Sequence, residues 1–121
     1  MFSLLENFMA NVSGTSATIS WSIACIVYEQ LEFVVNYGTD DDSLDQTSET
    51  VFSSNGVILT RQNYEVTLTG LLSDATYYYQ VVATVQNTTL ESSISSFTTP
   101  QGGIMDMIIF MCMYYFSLHY L

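Results

Sequence analysis

The sequence predicts an all-β chain folded as an antiparallel sandwich or barrel, and three observations carry that prediction. Apolar and polar residues alternate with a period of two in several short runs between residues 17 and 85. Polar loops rich in Ser, Thr, Asn and Asp separate those runs. No stretch of residues 1–100 keeps the 3.6-residue period of an amphipathic helix. The chain has 121 residues, 49% of them hydrophobic and 14% aromatic, which is one domain's worth. At that length a fold buries about two-thirds of its unfolded surface, so no metal or disulfide clamp is required.

The elements follow in order. In Ala17–Ile23 the residues Ala17, Ile19, Trp21 and Ile23 alternate with Thr18, Ser20 and Ser22, a strand with one dry and one wet face. Leu31–Tyr37 repeats the pattern with Leu31, Phe33, Val35 and Tyr37 on one side. Tyr64–Thr69 points Val66 and Leu68 inward, and Ala75–Val85 shares Tyr77, Tyr79, Val81 and Ala83 on one face. Tyr78, Gln80 and Val82 are left for the outer face. Ser92–Thr99 is a weaker strand whose apolar residues, Ile94 and Phe97, stand three apart, which predicts a bulge or a change of partner. Edge strands are commonly guarded by Lys or Pro. With one Pro and a single basic residue, this chain leaves that task to its negative charge.

Pro100-Gln101-Gly102-Gly103 reads as a break. The expected organisation is therefore a domain over 1–100, a Gly-rich linker at 101–103 and an apolar tail at 104–121. The tail, IMDMIIFMCMYYFSLHYL, is expected to be helical and carries one acid, Asp106. As a helix, residues 107–121 reach about 22 Å, short of the roughly 30 Å hydrocarbon core. Three readings stay open: a marginal membrane anchor, a segment packed on the domain, and a gene-model extension. Met1–Ala10 carries Glu6 and no Lys or Arg, so no signal peptide is visible.

Charge excludes several partners. Twelve Asp and Glu face one Lys or Arg, Arg61, for a net charge of −11. Nucleic acids and heparin-like polyanions need clustered cations, which are missing. The expected partners are a protein ligand and, through residues 104–121, a membrane.

Catalytic, cofactor and metal sites are not expected. His119, the one histidine, lies in the tail away from any Ser or Cys nucleophile. Cys25 reads as a small core or loop residue and Cys112 lies in the tail; two thiols make no disulfide framework. Glu29 and Glu32 flank strands and face water. The run Asp40-Asp41-Asp42-Ser43-Leu44-Asp45 lacks the sixth-position Gly of a calcium loop and reads as a solvated connection. Asn11-Val12-Ser13 and Asn87-Thr88-Thr89 are N-glycosylation acceptor triplets if the domain is lumenal.

Particular residues give a sharper likeness. Thr15–Trp21 ends in a tryptophan on a second strand, Phe33-Val34-Val35-Asn36-Tyr37 has the form aromatic-x-Val-x-Tyr, and Leu68-Thr69-Gly70-Leu71 precedes Tyr77, with Phe97-Thr98-Thr99 closing. Together these resemble a fibronectin type III domain over residues 2–100. The resemblance implies a seven-stranded immunoglobulin-like sandwich. Trp21, Leu71 and Tyr77 are then structural core, with Tyr77 at a tyrosine corner. True immunoglobulin domains place Trp on the third strand and a Cys two residues after the corner Tyr; here that position is Tyr79. Two departures stand out: no proline-rich first strand is present, and Asp74 occupies a position where the family often has Gly. The resemblance also implies a non-catalytic adhesion or receptor-ectodomain module at the cell surface. A passive spacer or accessory domain of a larger extracellular or receptor enzyme is the alternative.

Overall fold

The computed structural model describes residues 5–23, 30–53, 61–85 and 87–101. The expected tail at 104–121, with Cys112 and His119, lies outside the described residues, as do Cys25, Glu29, Gly102 and Gly103.

The strands are β1 (Leu5–Ser13), β2 (Ser16–Ile23), β3 (Glu32–Gly38), β4 (Gln46–Thr47), β5 (Val51–Phe52), β6 (Gln62–Leu68), β7 (Thr76–Val85), β8 (Thr88–Glu91) and β9 (Ser95–Thr98). One sheet has the order β1-β2-β6; the other runs β4-β3-β7-β8, with β5 also on β3 and β9 also on β7. Every pairing is antiparallel. β4 and β5 lie end to end along one edge of β3, and β8 and β9 do so along β7. The nine segments therefore trace the seven strand paths of a sandwich. No helix among the described residues is long and apolar enough to cross a membrane.

The core is built by the alternation. Ala17, Ile19, Trp21 and Ile23 of β2 meet Phe33, Val35 and Tyr37 of β3 and Tyr77, Tyr79, Val81 and Ala83 of β7, all buried. Trp21 joins the two sheets: its ring centroid lies 5.4 Å from that of Phe33 and 6.5 Å from that of Tyr64. A second aromatic cluster sets Phe97 5.6 Å from Tyr77 and 5.9 Å from Tyr79. Such tilted and offset ring pairs add to the burial term.

Three features depart from the sequence reading. The first strand is present without proline: β1 spans nine residues. Its register shifts between Glu6 and Met9, so Asn7 and Phe8 together oppose Trp21. Asn7 has φ +58°, a left-handed conformation that Asn tolerates better than most residues, and its Nδ2 donates to Ser22 Oγ at 2.9 Å. Secondly, the last strand path breaks at Ser92–Ile94 without changing partner, because β8 and β9 both pair with β7. The break is bridged by a side chain: Ser92 N–H donates to the Val81 carbonyl, while Val81 N–H donates to Ser92 Oγ, both at 2.9 Å. Ser48 does the same with Val35, and Ser53 with Leu31. Thirdly, Asp74 has φ +51°. That conformation explains why glycine suits the position, since glycine adopts it without a Cβ penalty.

Candidate functional site

The described surface is acidic. Arg61, an exposed side chain, is ion-paired with Glu6; an exposed pair of this kind contributes well under about 1 kcal/mol. Glu32 of β3 is exposed, as expected, and Glu91 of β8 is exposed as well.

The run from Asp40 to Asp45 forms a tight turn between β3 and β4. Ser43 N–H donates to the Asp40 carbonyl at 3.0 Å, and Asp42 N–H donates to Asp40 Oδ1 at 2.9 Å. One Asp40 oxygen is thus used to shape the turn, the usual job of Asp at such positions. A Cβ on Gly38 would meet the Ser43 carbonyl oxygen at 2.8 Å, so the residue opening the turn has to be small. The Asp40, Asp41 and Asp42 carboxylates lie within 4.8 Å of one another, all exposed. The loop is exposed and takes its shape from local hydrogen bonds.

A cleft of about 450 Å³ opens between the edges of β4 and β6, lined by Tyr37, Thr47, Ser48, Glu49, Thr67, Leu68 and Thr69. Small-molecule sites of this size are mostly apolar with a few converging polar groups. Here threonine hydroxyls dominate the rim and the two apolar residues, Tyr37 and Leu68, are buried in the core. The cleft is the seam between two sheet edges.

The most organised polar cluster sits where the chain leaves the sandwich. Thr99, 1% exposed, donates its amide proton to the Ala75 carbonyl at 2.9 Å. Its hydroxyl accepts from Ala75 N–H at 3.0 Å and donates to the Leu72 carbonyl at 2.6 Å. Asp74 N–H donates to the Pro100 carbonyl at 2.9 Å, and Gln101 Nε2 to Asp74 Oδ2 at 3.2 Å. Leu71 N–H donates to the Thr15 carbonyl at 2.9 Å, and Leu72 N–H to the Tyr77 hydroxyl oxygen at 2.8 Å. The β6–β7 loop, the β1–β2 turn and the exit segment are thereby tied into one pole. Leu72 itself is 64% exposed there. The sequence reading missed Thr99 and Asp74 at this pole. Thr99 shares its strand parity with the core residue Phe97, and that was the available signal.

The singled-out residues fall as follows. Trp21, Leu71 and Tyr77 are 1%, 4% and 2% exposed. Asn11 is exposed on β1, opposite Thr18. Asn87 is exposed at the turn between β7 and β8. The structure brings Leu71 and Tyr77 to the exit pole; Asn11 lies on β1 close to the β1–β2 turn, and Asn87 lies beyond the far end of β7.

Comparison with known families corrects the identification made from the residues. The model of the purple acid phosphatase N-terminal domain matches residues 6–99. That span covers almost every residue of the nine strands. Among curated proteins and among solved structures, nothing matches the chain. The fibronectin type III resemblance is therefore one of fold. A core tryptophan, period-two strands and a tyrosine corner are demands of a seven-path sandwich, and families that share the architecture share them. The reading as a cell-adhesion or receptor-ectodomain module rested on that resemblance and is overturned with it. The chain belongs to the purple acid phosphatase N-terminal domain family.

Proposed function

We propose that this chain is a non-catalytic accessory domain of a phosphatase, a rigid unit that precedes and supports a catalytic domain. The observation that carries the reading is the family match over residues 6–99, which takes in the whole sandwich. The exit pole supports it. A passive linker has no need of a buried threonine bonded to Ala75 and Leu72, or of a Pro100 carbonyl bonded to Asp74, holding the departing segment to the body of the fold. Such bonding fixes the direction in which the chain leaves as far as Gln101, which is what an accessory domain must supply to its neighbour. The charge of −11 leaves nucleic acids and polyanions as unsuitable partners.

The test has two arms. The purified chain is assayed with p-nitrophenyl phosphate in the presence of added divalent cations; no turnover above the blank is expected, and turnover by the chain alone overturns the non-catalytic reading. A purple acid phosphatase catalytic domain is then compared with and without this domain ahead of it in one polypeptide. A raised thermal midpoint for the fused enzyme is expected. An unchanged midpoint makes the domain a spacer.

A further inference from the structure

The two acceptor triplets occupy different structural settings, although the sequence presents them as equals. Asn11, Val12 and Ser13 are all paired in the β1–β2 ladder, opposite Thr18, Ala17 and Ser16. Val12 packs against the core, and the Ser13 carbonyl accepts a hydrogen bond from Ser16 Oγ at 2.9 Å. Drawing that triplet into the cleft of a modifying enzyme means stripping β1 from the sheet.

Asn87-Thr88-Thr89 stands at a strand tip. Val85↔Thr88 is the last pair of the β7–β8 hairpin, so Asn87 lies beyond the ladder. All three residues of the triplet are exposed, and the first residue of β8 to pack against the core is Leu90. The placement also suits the rest of the fold. β7 runs ten residues from the exit pole to this tip, about 30 Å at 3.3 Å per residue. A bulky group on Asn87 therefore leaves the exit pole clear for a following domain. It also stands beside the edge of β8 that pairs with no strand among the described residues; β8 carries neither Lys nor Pro, and that edge gains a steric guard against pairing.

We propose that Asn87 is an N-glycosylation site, and the one of the two triplets that the fold presents for modification. The donor is an oligosaccharide linked through a diphosphate to a membrane lipid. Asn87 Nδ2 forms a bond to C1 of the first sugar, the C1–O bond to the diphosphate breaks, the lipid diphosphate leaves, and one amide proton passes to a base of the transferase. The assignment goes beyond the accessory role and concerns only what the domain carries while performing it.

The experiment expresses the full chain behind a cleavable secretory leader in animal cells. A second acceptor triplet, appended in a flexible tag, reports that the chain has been translocated. Mobility is read before and after glycosidase treatment for the parent, Asn87→Gln, Thr89→Ala and Asn11→Gln. Expected is the loss of one glycosidase-sensitive step in both Asn87→Gln and Thr89→Ala, and none in Asn11→Gln. Both Asn87 and Thr89 are exposed, so neither change empties the core. With the tag modified, an Asn87→Gln pattern identical to the parent overturns the proposal. A step lost in Asn11→Gln instead overturns it equally.

Discussion

The Tyr77 hydroxyl oxygen accepts the Leu72 amide proton at 2.8 Å, while the Tyr77 ring stacks 5.6 Å from Phe97 in the core. One side chain thus closes the core and satisfies a main-chain donor of the loop that holds the exit segment. Tyr77→Phe separates the two roles, since the ring stays and only the acceptor goes. Losing one part-buried hydrogen bond of this kind costs about 1 kcal/mol. Chemical denaturation followed by Trp21 fluorescence is expected to show that loss with an unchanged dependence on denaturant.

The Ser92 hydroxyl takes the place of a carbonyl opposite Val81, a residue with no exposed surface. Ser92→Ala keeps the strand path and removes the acceptor, so the buried Val81 N–H is orphaned at roughly 1–3 kcal/mol. Hydrogen exchange at the Val81 amide is expected to accelerate more than at Tyr79 or Ala83. Ser93, its exposed neighbour, serves as the control; Ser93→Ala should change stability by less than about 0.5 kcal/mol.

These two cases show where sequence reading succeeds and where it stops. β2, β3, β6 and β7 were found because each keeps one parity: Ile19, Trp21 and Ile23, for example, all point into the core. β1 was missed because its parity changes midway. Leu5 faces inward, then Asn7 is inserted at the bulge, and the inward set becomes Phe8, Ala10 and Val12. One extra residue flips every later side chain to the other face, so no single alternation spans the strand. Ser48, Ser53 and Ser92 were hidden for a different reason. A hydroxyl that completes a ladder looks like any polar residue until its partners, Val35, Leu31 and Val81, are brought opposite it. The exit pole is a product of topology in the same way, since Thr15, Leu72, Ala75 and Thr99 are scattered along the chain. The family eluded the residues because Trp21 and Tyr77 report a sandwich, and more than one family is built as a sandwich.

Asp74 yields a prediction of opposite sign. Its φ of +51° places a Cβ in the left-handed region, at a cost on the order of 1 kcal/mol for a non-glycine residue. Asp74→Gly relieves that strain and forfeits only the exposed contact from Gln101. A gain of about 0.5 kcal/mol is expected after the extra freedom of glycine in the unfolded chain is counted. Asp74→Val is expected to lose stability, because a β-branched side chain suits this conformation least. Thermal midpoints of the two variants against the parent decide it; a Gly variant less stable than the parent removes the strain argument.

Tyr79 makes stability fall at alkaline pH. Burial in the core raises its phenol above the ordinary value of 10.0, and a side-chain hydrogen bond with Ser95 pulls more weakly the other way. The folded state therefore keeps this proton at pH values where the unfolded chain has released it. Stability from this residue is complete below pH 10, declines as pH rises beyond that, and is gone once the pH passes the folded value. Over that window stability falls with pH, by at most about 1.4 kcal/mol per pH unit for one proton. Tyr79→Phe has no proton to release, so its stability curve above pH 10 should be flatter than the parent's. Denaturant midpoints taken at half-unit pH steps measure both slopes. Equal slopes for the two proteins place the alkaline loss on other groups and refute the assignment to Tyr79.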